Sequence, residues 1–255
     1  MLSDDQLNQY SRLAKIDRIS VFREYLQLAF LLNFYRNEKL KHTYFKGGTC
    51  LRLVFGSGRF SEDLDFSSDL KPDEIDSHVA TTINELSHEF SNISVKSIDS
   101  LAGISRKIQV QTQLTPFPTT IKLDFSDRDQ ILDPEISTPK TDYPFSILTP
   151  IPHLSLKEIL AEKVRAIMSR DKGRDLYDLY YLLARKVEFD PKFIQKKLDF
   201  FKEKYSFNDL VRIISKWNRT ELKNDLGPFL PADVRKIIPD LPEITTKLLH
   251  SLPTT

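Results

Sequence analysis

Asp63 and Asp65 stand two positions apart, alternating with Leu64 and Phe66. Successive side chains of a strand point to opposite faces, so both carboxylates emerge on one side and both apolar groups on the other. Two adjacent carboxylates repel unless a cation joins them. Hard oxygen ligands of this kind suit Mg²⁺, or Mn²⁺ in its place, carrying a polyphosphate. Upstream lies Lys46-Gly47-Gly48-Thr49, with 13 residues between Thr49 and Asp63. A Gly-Gly turn leaves backbone N–H groups free to face an anion, and a helix starting near Thr49 adds its positive end. The Thr49 hydroxyl could donate to a phosphate or cap that helix. A third carboxylate, Asp124, falls on the polar face of a later alternating run, with Asp127 and Asp129 close by as alternatives. Three carboxylates converging on two metal ions are a recurring solution for in-line nucleotidyl transfer.

These groups require a small sheet to hold them. Thr43–Lys46 reads as a brief strand ended by the glycines, residues 49–55 as a short buried helix, and Phe60–Ser67 as a second strand. Pro72 and Asp73 open a helix to about Phe90. Ser105–Leu114 and Thr119–Phe125 alternate as two further strands. The first forty residues read as helices, with Val21, Tyr25, Leu28, Leu31 and Leu32 forming an amphipathic face. Between Pro134 and Pro152 lie five of 14 prolines, a stretch expected to hold no regular element and to cross between two lobes. Everything beyond it patterns as helix: 155–169, 174–184, 191–204, 208–216 and 232–252.

The second lobe brings further charge. On one helix Lys163 and Arg170 are seven residues apart and share a face suited to a triphosphate. Gly173 reverses the chain, and Arg174, Asp175 and Asp178 then lie within one turn of the next helix. An ordinary Lys–Asp surface pair would look the same and needs no function. Lys192, Lys196, Lys197, Lys202 and Lys204, interleaved with Phe193, Phe200, Phe201 and Tyr205, make a phosphate-tracking surface or simply a core with solvated lysines.

The segments Phe45-Lys46-Gly47-Gly48-Thr49 and Arg59-Phe60-Ser61-Glu62-Asp63-Leu64-Asp65-Phe66 resemble the AbiEii/AbiGii toxin family, which includes the MenT-type toxins, within the polymerase-β-like nucleotidyltransferases. The Ser-x-Asp-x-Asp form, with Ser61 ahead of Asp63, is closer to this family than to polymerases generally. The resemblance extends through Glu162-Lys163-Val164-Arg165-Ala166, Arg170 and Lys172-Gly173-Arg174-Asp175-Leu176-Tyr177-Asp178-Leu179. It implies an α/β (α+β) fold: a nucleotidyltransferase domain with N-terminal helices over residues 1–150, and a helical domain over 151–255 completing the active-site cleft. It also implies Mg²⁺ and NTP, with Asp63, Asp65 and Asp124 as catalytic metal ligands. Lys46, Gly47, Gly48, Thr49, Ser61, Lys163, Arg170, Arg174 and Asp175 would bind nucleotide. A catalytic Lys and Asp in the second region match Lys163 and Asp178 best, with Asp175 as the alternative to Asp178. The acceptor it implies is a tRNA 3′ end, or another RNA, with translation blocked and an AbiEi-like antitoxin as partner.

Bulk properties narrow the alternatives. The chain has 255 residues, 40% hydrophobic and 29% charged, an ordinary globular balance. Its net charge of +1 argues against a chain-wide polyanion magnet, but the charge is segregated: residues 61–90 carry nine acidic and one basic side chain, residues 151–224 carry 17 Lys/Arg against 11 Asp/Glu. A single cysteine, Cys50, precludes an intrachain disulfide and, with no secretory or spanning segment evident, leads to a cytoplasmic expectation without a membrane partner. The five histidines show no metal-ligand spacing, and no P-loop or dinucleotide fingerprint is present. Two other readings remain open at this level: transfer to a small molecule or protein, and an NTP-binding toxin or sensor without turnover. Ser61, beside the metal position, could also accept a phosphate that switches the site off.

Overall fold

The computed structural model describes residues 1–99, 103–127, 130–146 and 148–252. It divides into two units: Met1–Gly56, Phe60–Arg128 and Pro134–His153 form the first; Ser57–Arg59, Asp129–Asp133 and Leu154–Thr255 form the second.

The first unit is built on a seven-stranded sheet in the order β3-β4-β5-β2-β1-β7-β6. Its strands are β1 (Thr43–Lys46), β2 (Leu64–Ser68), β3 (Ile93–Ile98), β4 (Ile104–Val110), β5 (Thr119–Ser126), β6 (Pro134–Ser137) and β7 (Ile151–Leu154). β2 runs antiparallel to β1 and parallel to β5, and β4 runs antiparallel to both β3 and β5. The helices are α1 (Asp4–Ala14), α2 (Arg18–Phe34), α3 (Gly47–Leu53) and α4 (Pro72–Ser87). Helix α2 packs on α4 and β5, and α4 on β3, closing one face of the sheet.

Several elements differ from the sequence expectation. Helix α2 is buried around almost its whole circumference, Phe22, Leu26, Ala29 and Phe30 included, so it is a central helix rather than an amphipathic one. β2 begins only at Leu64, four residues later than the alternation implied. β3, with exposed Ser94, Lys96 and Ser97 between partly buried Ile93, Val95 and Ile98, is an additional edge strand. The proline-rich stretch holds two strands. β7 joins β1 through the single register pair Phe45–His153, a contact short enough to accommodate Pro152, which has no N–H to give.

Register in the sheet is set on its covered face. Leu64 pairs with Leu123 and Phe66 with Phe125; the two phenyl rings stack with centroids 4.7 Å apart and planes 13° apart, against Phe34 and Phe45. Each fully buried Phe contributes roughly 1.5–3 kcal/mol. A one-residue slip would turn these rings outward, so their burial also fixes which residues occupy the opposite face.

The second unit is helical: α5 (Leu156–Ser169), α6 (Gly173–Ala184), α7 (Pro191–Asp199), α8 (Phe207–Ser215), α9 (Arg219–Leu226) and α10 (Leu241–His250). α5 packs on α6, α7 and α8; α6 packs on α9 and α10. Helix α9, capped by Asn218, lies in a stretch whose pattern had shown no helix, and a 3₁₀ segment at Arg235–Asp240 takes up the start of the expected last helix. No helix among the described residues is long and apolar enough to cross a membrane. Cys50 is buried and forms no disulfide.

Candidate active site

The face of the sheet opposite the phenylalanine stack carries a row of polar and charged side chains. In register across four adjacent strands lie Lys46 on β1, Asp65 on β2, Asp124 on β5 and Ser105 on β4. Asp65 and Asp124 thus occupy neighbouring positions on parallel strands, about 4.8 Å apart along the hydrogen-bonding direction. Asp63 sits two residues before Asp65, just outside β2, and its carbonyl accepts the hydroxyl of Thr49. Thr49 is fully buried and serves as a strut between α3 and the approach to β2. The chain passes from β1 directly into α3, with Gly47 at φ +77°. A side chain at 47 would overlap the Asp65 carboxylate, so only glycine allows this approach.

Asp124 is held on both oxygens: the Ser105 hydroxyl donates to one, and Lys122 Nζ lies 2.8 Å from the other. Burial opposes the Lys122 charge, yet its hydrogen bond to Asp124 and the fields of Asp124, Asp63 and Asp65 together raise its pKa above the ordinary lysine value. Lys122 therefore lies within the fields of all three carboxylates. It answers their charge as a cation would. Among the described residues no three His, Cys, Asp or Glu side chains are already drawn into a metal cage. The donor set itself, hard carboxylate oxygens with a lysine as counter-charge, fits Mg²⁺ or Mn²⁺. Ser61 is half-buried, and its carbonyl accepts from Gln27 Nε2 at 3.1 Å. Asp129 lies outside the described residues.

In the second unit a separate ionic network is buried. Asp178, fully inaccessible, takes a bidentate contact from Arg59 (Nε–Oδ1 2.9 Å, Nη2–Oδ2 2.8 Å) and a second cation from Lys163 at 2.8 Å. Lys163 also reaches Asp175 at 2.8 Å, and Arg170 clasps Asp175 at 2.9 and 3.2 Å. Burial alone would push both aspartates towards neutrality. Arg59 and Lys163 overcome this at Asp178 and lower its pKa; Lys163 and Arg170 do so at Asp175, which falls to about 2. For Lys163 burial pulls downward, and the two aspartates outweigh it so that the ammonium is held above its usual range. Arg174 stands apart from this network, 3.7 Å from Asp225 and stacked over Phe229. Lys197 is buried against Glu158 (2.7 Å) and Glu162 (3.4 Å), which removes it from any phosphate-tracking surface.

Arg59, Lys122 and Ser105 were not singled out for a role by sequence reasoning. Arg59 meets a partner 119 residues away, a relation without local signature. Lys122 had a weak one, being two residues before Asp124 on the same strand face.

A mixed sheet presenting paired aspartates beside a glycine-started helix is the architecture of a nucleotidyltransferase. The family model for the nucleotidyl transferase AbiEii toxin, of type IV toxin–antitoxin systems, matches residues 29–248, and the chain belongs to that family. It is an enzyme of the nucleotidyltransferase class, and membership in a toxin–antitoxin family implies an antitoxin partner. Among solved structures it is similar to MenT4, a nucleotidyltransferase toxin from Mycobacterium tuberculosis H37Rv, at 18% identity and TM-score 0.70, covering 100% of this chain and 91% of that one. It is also similar to JHP933 from Helicobacter pylori, at 20% identity and TM-score 0.53, covering 92% and 95%. No curated protein matches.

Proposed function

We propose that the protein transfers a nucleoside monophosphate from an NTP to the 3′-hydroxyl of an RNA, with the tRNA 3′ end as acceptor and arrested translation as consequence. The observation that carries this reading is the register pair Asp65–Asp124, with Gly47 packed against Asp65. In the reaction the acceptor oxygen forms a bond to the α-phosphorus while the bond from that phosphorus to the α–β bridging oxygen breaks, releasing pyrophosphate. Asp63, Asp65 and Asp124 would hold Mg²⁺ or Mn²⁺, which when bound supplies charge neutralisation for the triphosphate. Asp124 assists removal of the hydroxyl proton, and Lys122, 2.8 Å from one of its oxygens, holds the carboxylate in place. Gly47 and Gly48 open α3, and their backbone N–H groups would bind the triphosphate, with Lys46 in the same row of the sheet as Asp65. In the second unit the buried network holds Lys163 and Arg170 as permanent cations. Asp175 and Asp178 keep Lys163 protonated, and they are positioning residues rather than reacting groups.

Incubation with total RNA and either α- or γ-labelled NTP tests the reaction class. Label entering RNA from the α position alone is the expected result. Label in RNA from the γ position, or label in protein or small molecules instead of RNA, overturns it.

A further inference from the structure

The same open sheet face carries a second ordered row. Lys96 on β3 is directly opposite Lys107 on β4, and Lys107 is directly opposite Lys122 on β5. Lys96 and Lys107 are exposed, Lys122 is 40% exposed, and among the described residues neither Lys96 nor Lys107 has a carboxylate partner. Like charges directly opposite on neighbouring strands destabilise a sheet, and here the arrangement occurs twice in succession. A lysine on an edge strand discourages aggregation, which accounts for Lys96 alone. It does not account for Lys107, because β4 is paired on both sides. The row is separated by one alternation from the row that holds Ser105, Asp124 and Asp65, and on its other side runs a polar row, Ser94, Gln109 and Thr120.

We propose that Lys122, Lys107 and Lys96 form a track for the phosphodiester backbone of the acceptor strand, a single-stranded RNA end whose 3′-hydroxyl lies at Asp124 and whose upstream phosphates lead towards the β3 edge. This inference rests on the transfer reading and adds the acceptor's path and polarity. Two strand spacings make the row on the order of 10 Å long. It runs away from the carboxylates to an open edge, which suits a continuing polyanion better than a triphosphate anchored at the carboxylates themselves. Serine, glutamine and threonine alongside offer hydrogen bonds to phosphate and sugar without reading base identity.

The test is binding of a 5′-fluorescein oligoribonucleotide to the full chain, without NTP, as a function of salt. In Lys96→Ala/Lys107→Ala the affinity should fall on the order of tenfold, and the slope of log K against log salt should lose about 1.4 in magnitude, the value for two contacts on a single strand. Lys216→Ala/Lys223→Ala removes the same charge from exposed positions just after α8 and on α9 and should leave both quantities unchanged. An oligodeoxyribonucleotide of the same sequence should bind with the same lysine dependence if phosphate is what the row reads. Unaltered RNA binding in the first variant, or an equal loss in the second, overturns the track. Because no turnover is involved, that failure leaves the transfer reading standing. Lysine-dependent binding without any transfer of α-label would instead sink the transfer reading and keep the track.

Discussion

Gly47 and Asp65 are packed so closely that a Cβ at position 47 would lie 3.1 Å from Asp65 Cγ and 3.2 Å from its Cβ, and would overlap the nearer carboxylate oxygen. The glycine thus sets where one of the proposed metal-binding carboxylates stands. Gly47→Ala carries two penalties: a left-handed backbone angle, costing about 1–2 kcal/mol, and displacement of Asp65. Displacements of about 1 Å at reacting groups cost on the order of a hundredfold in rate. Gly56 has the same kind of angle, φ +78°, with open space around its Cβ position. Gly56→Ala should therefore lower Tm comparably with little change in transfer rate, while Gly47→Ala loses both. Equal activity in the two variants would show that the Gly47–Asp65 approach is irrelevant to the reaction.

Removing Asp178 should cost about 3–5 kcal/mol, because it strips a carboxylate from the buried Arg59 guanidinium; removing Arg59 should cost less, since Lys163 still reaches Asp178. Arg59→Met/Asp178→Leu should cost less than the two single changes added together, with a coupling of roughly 0.5–3 kcal/mol by urea unfolding. Strict additivity would mean the pair is not coupled.

Much of this was legible from the chain alone, and the division is physical. Gly47-Gly48 and Asp63-x-Asp65 could be read because glycine's conformational range and strand alternation are local properties. Asp124 could be read from the alternation of Ile121, Leu123 and Phe125. The Arg59–Asp178 contact could not, since nothing near Arg59 announces a partner on α6. The lysine row was equally hidden: Lys96, Lys107 and Lys122 become neighbours only once the register is known, and β3, which carries the first of them, is a short edge strand. β6 and β7 were obscured by prolines that tertiary pairing tolerates.

Stability in acid should report on Asp175. Its pKa lies at about 2 in the folded chain against 3.8 ordinarily, so its contribution is complete above about pH 4 and is lost as the pH falls towards 2. The amount is on the order of 2 kcal/mol at most, and Asp178, lowered as well, acts in the same direction. Unfolding free energies between pH 5 and 2.5 should fall more steeply for the wild type than for Asp175→Asn. Parallel curves would contradict the assignment.

Lys122 competes for Asp124 with any bound cation. Lys122→Gln should tighten divalent-ion binding by on the order of tenfold, since it removes a positive charge close to three carboxylates. Calorimetric titration with Mn²⁺ reads this directly; weaker binding in the variant would place the cation away from Asp124.

The most direct test compares wild type with Asp65→Asn, which keeps the shape and removes one charge, for incorporation of α-labelled nucleotide into RNA under identical Mg²⁺. The sheet-face account predicts loss of nearly all incorporation with unchanged Tm. Full incorporation by Asp65→Asn would contradict it.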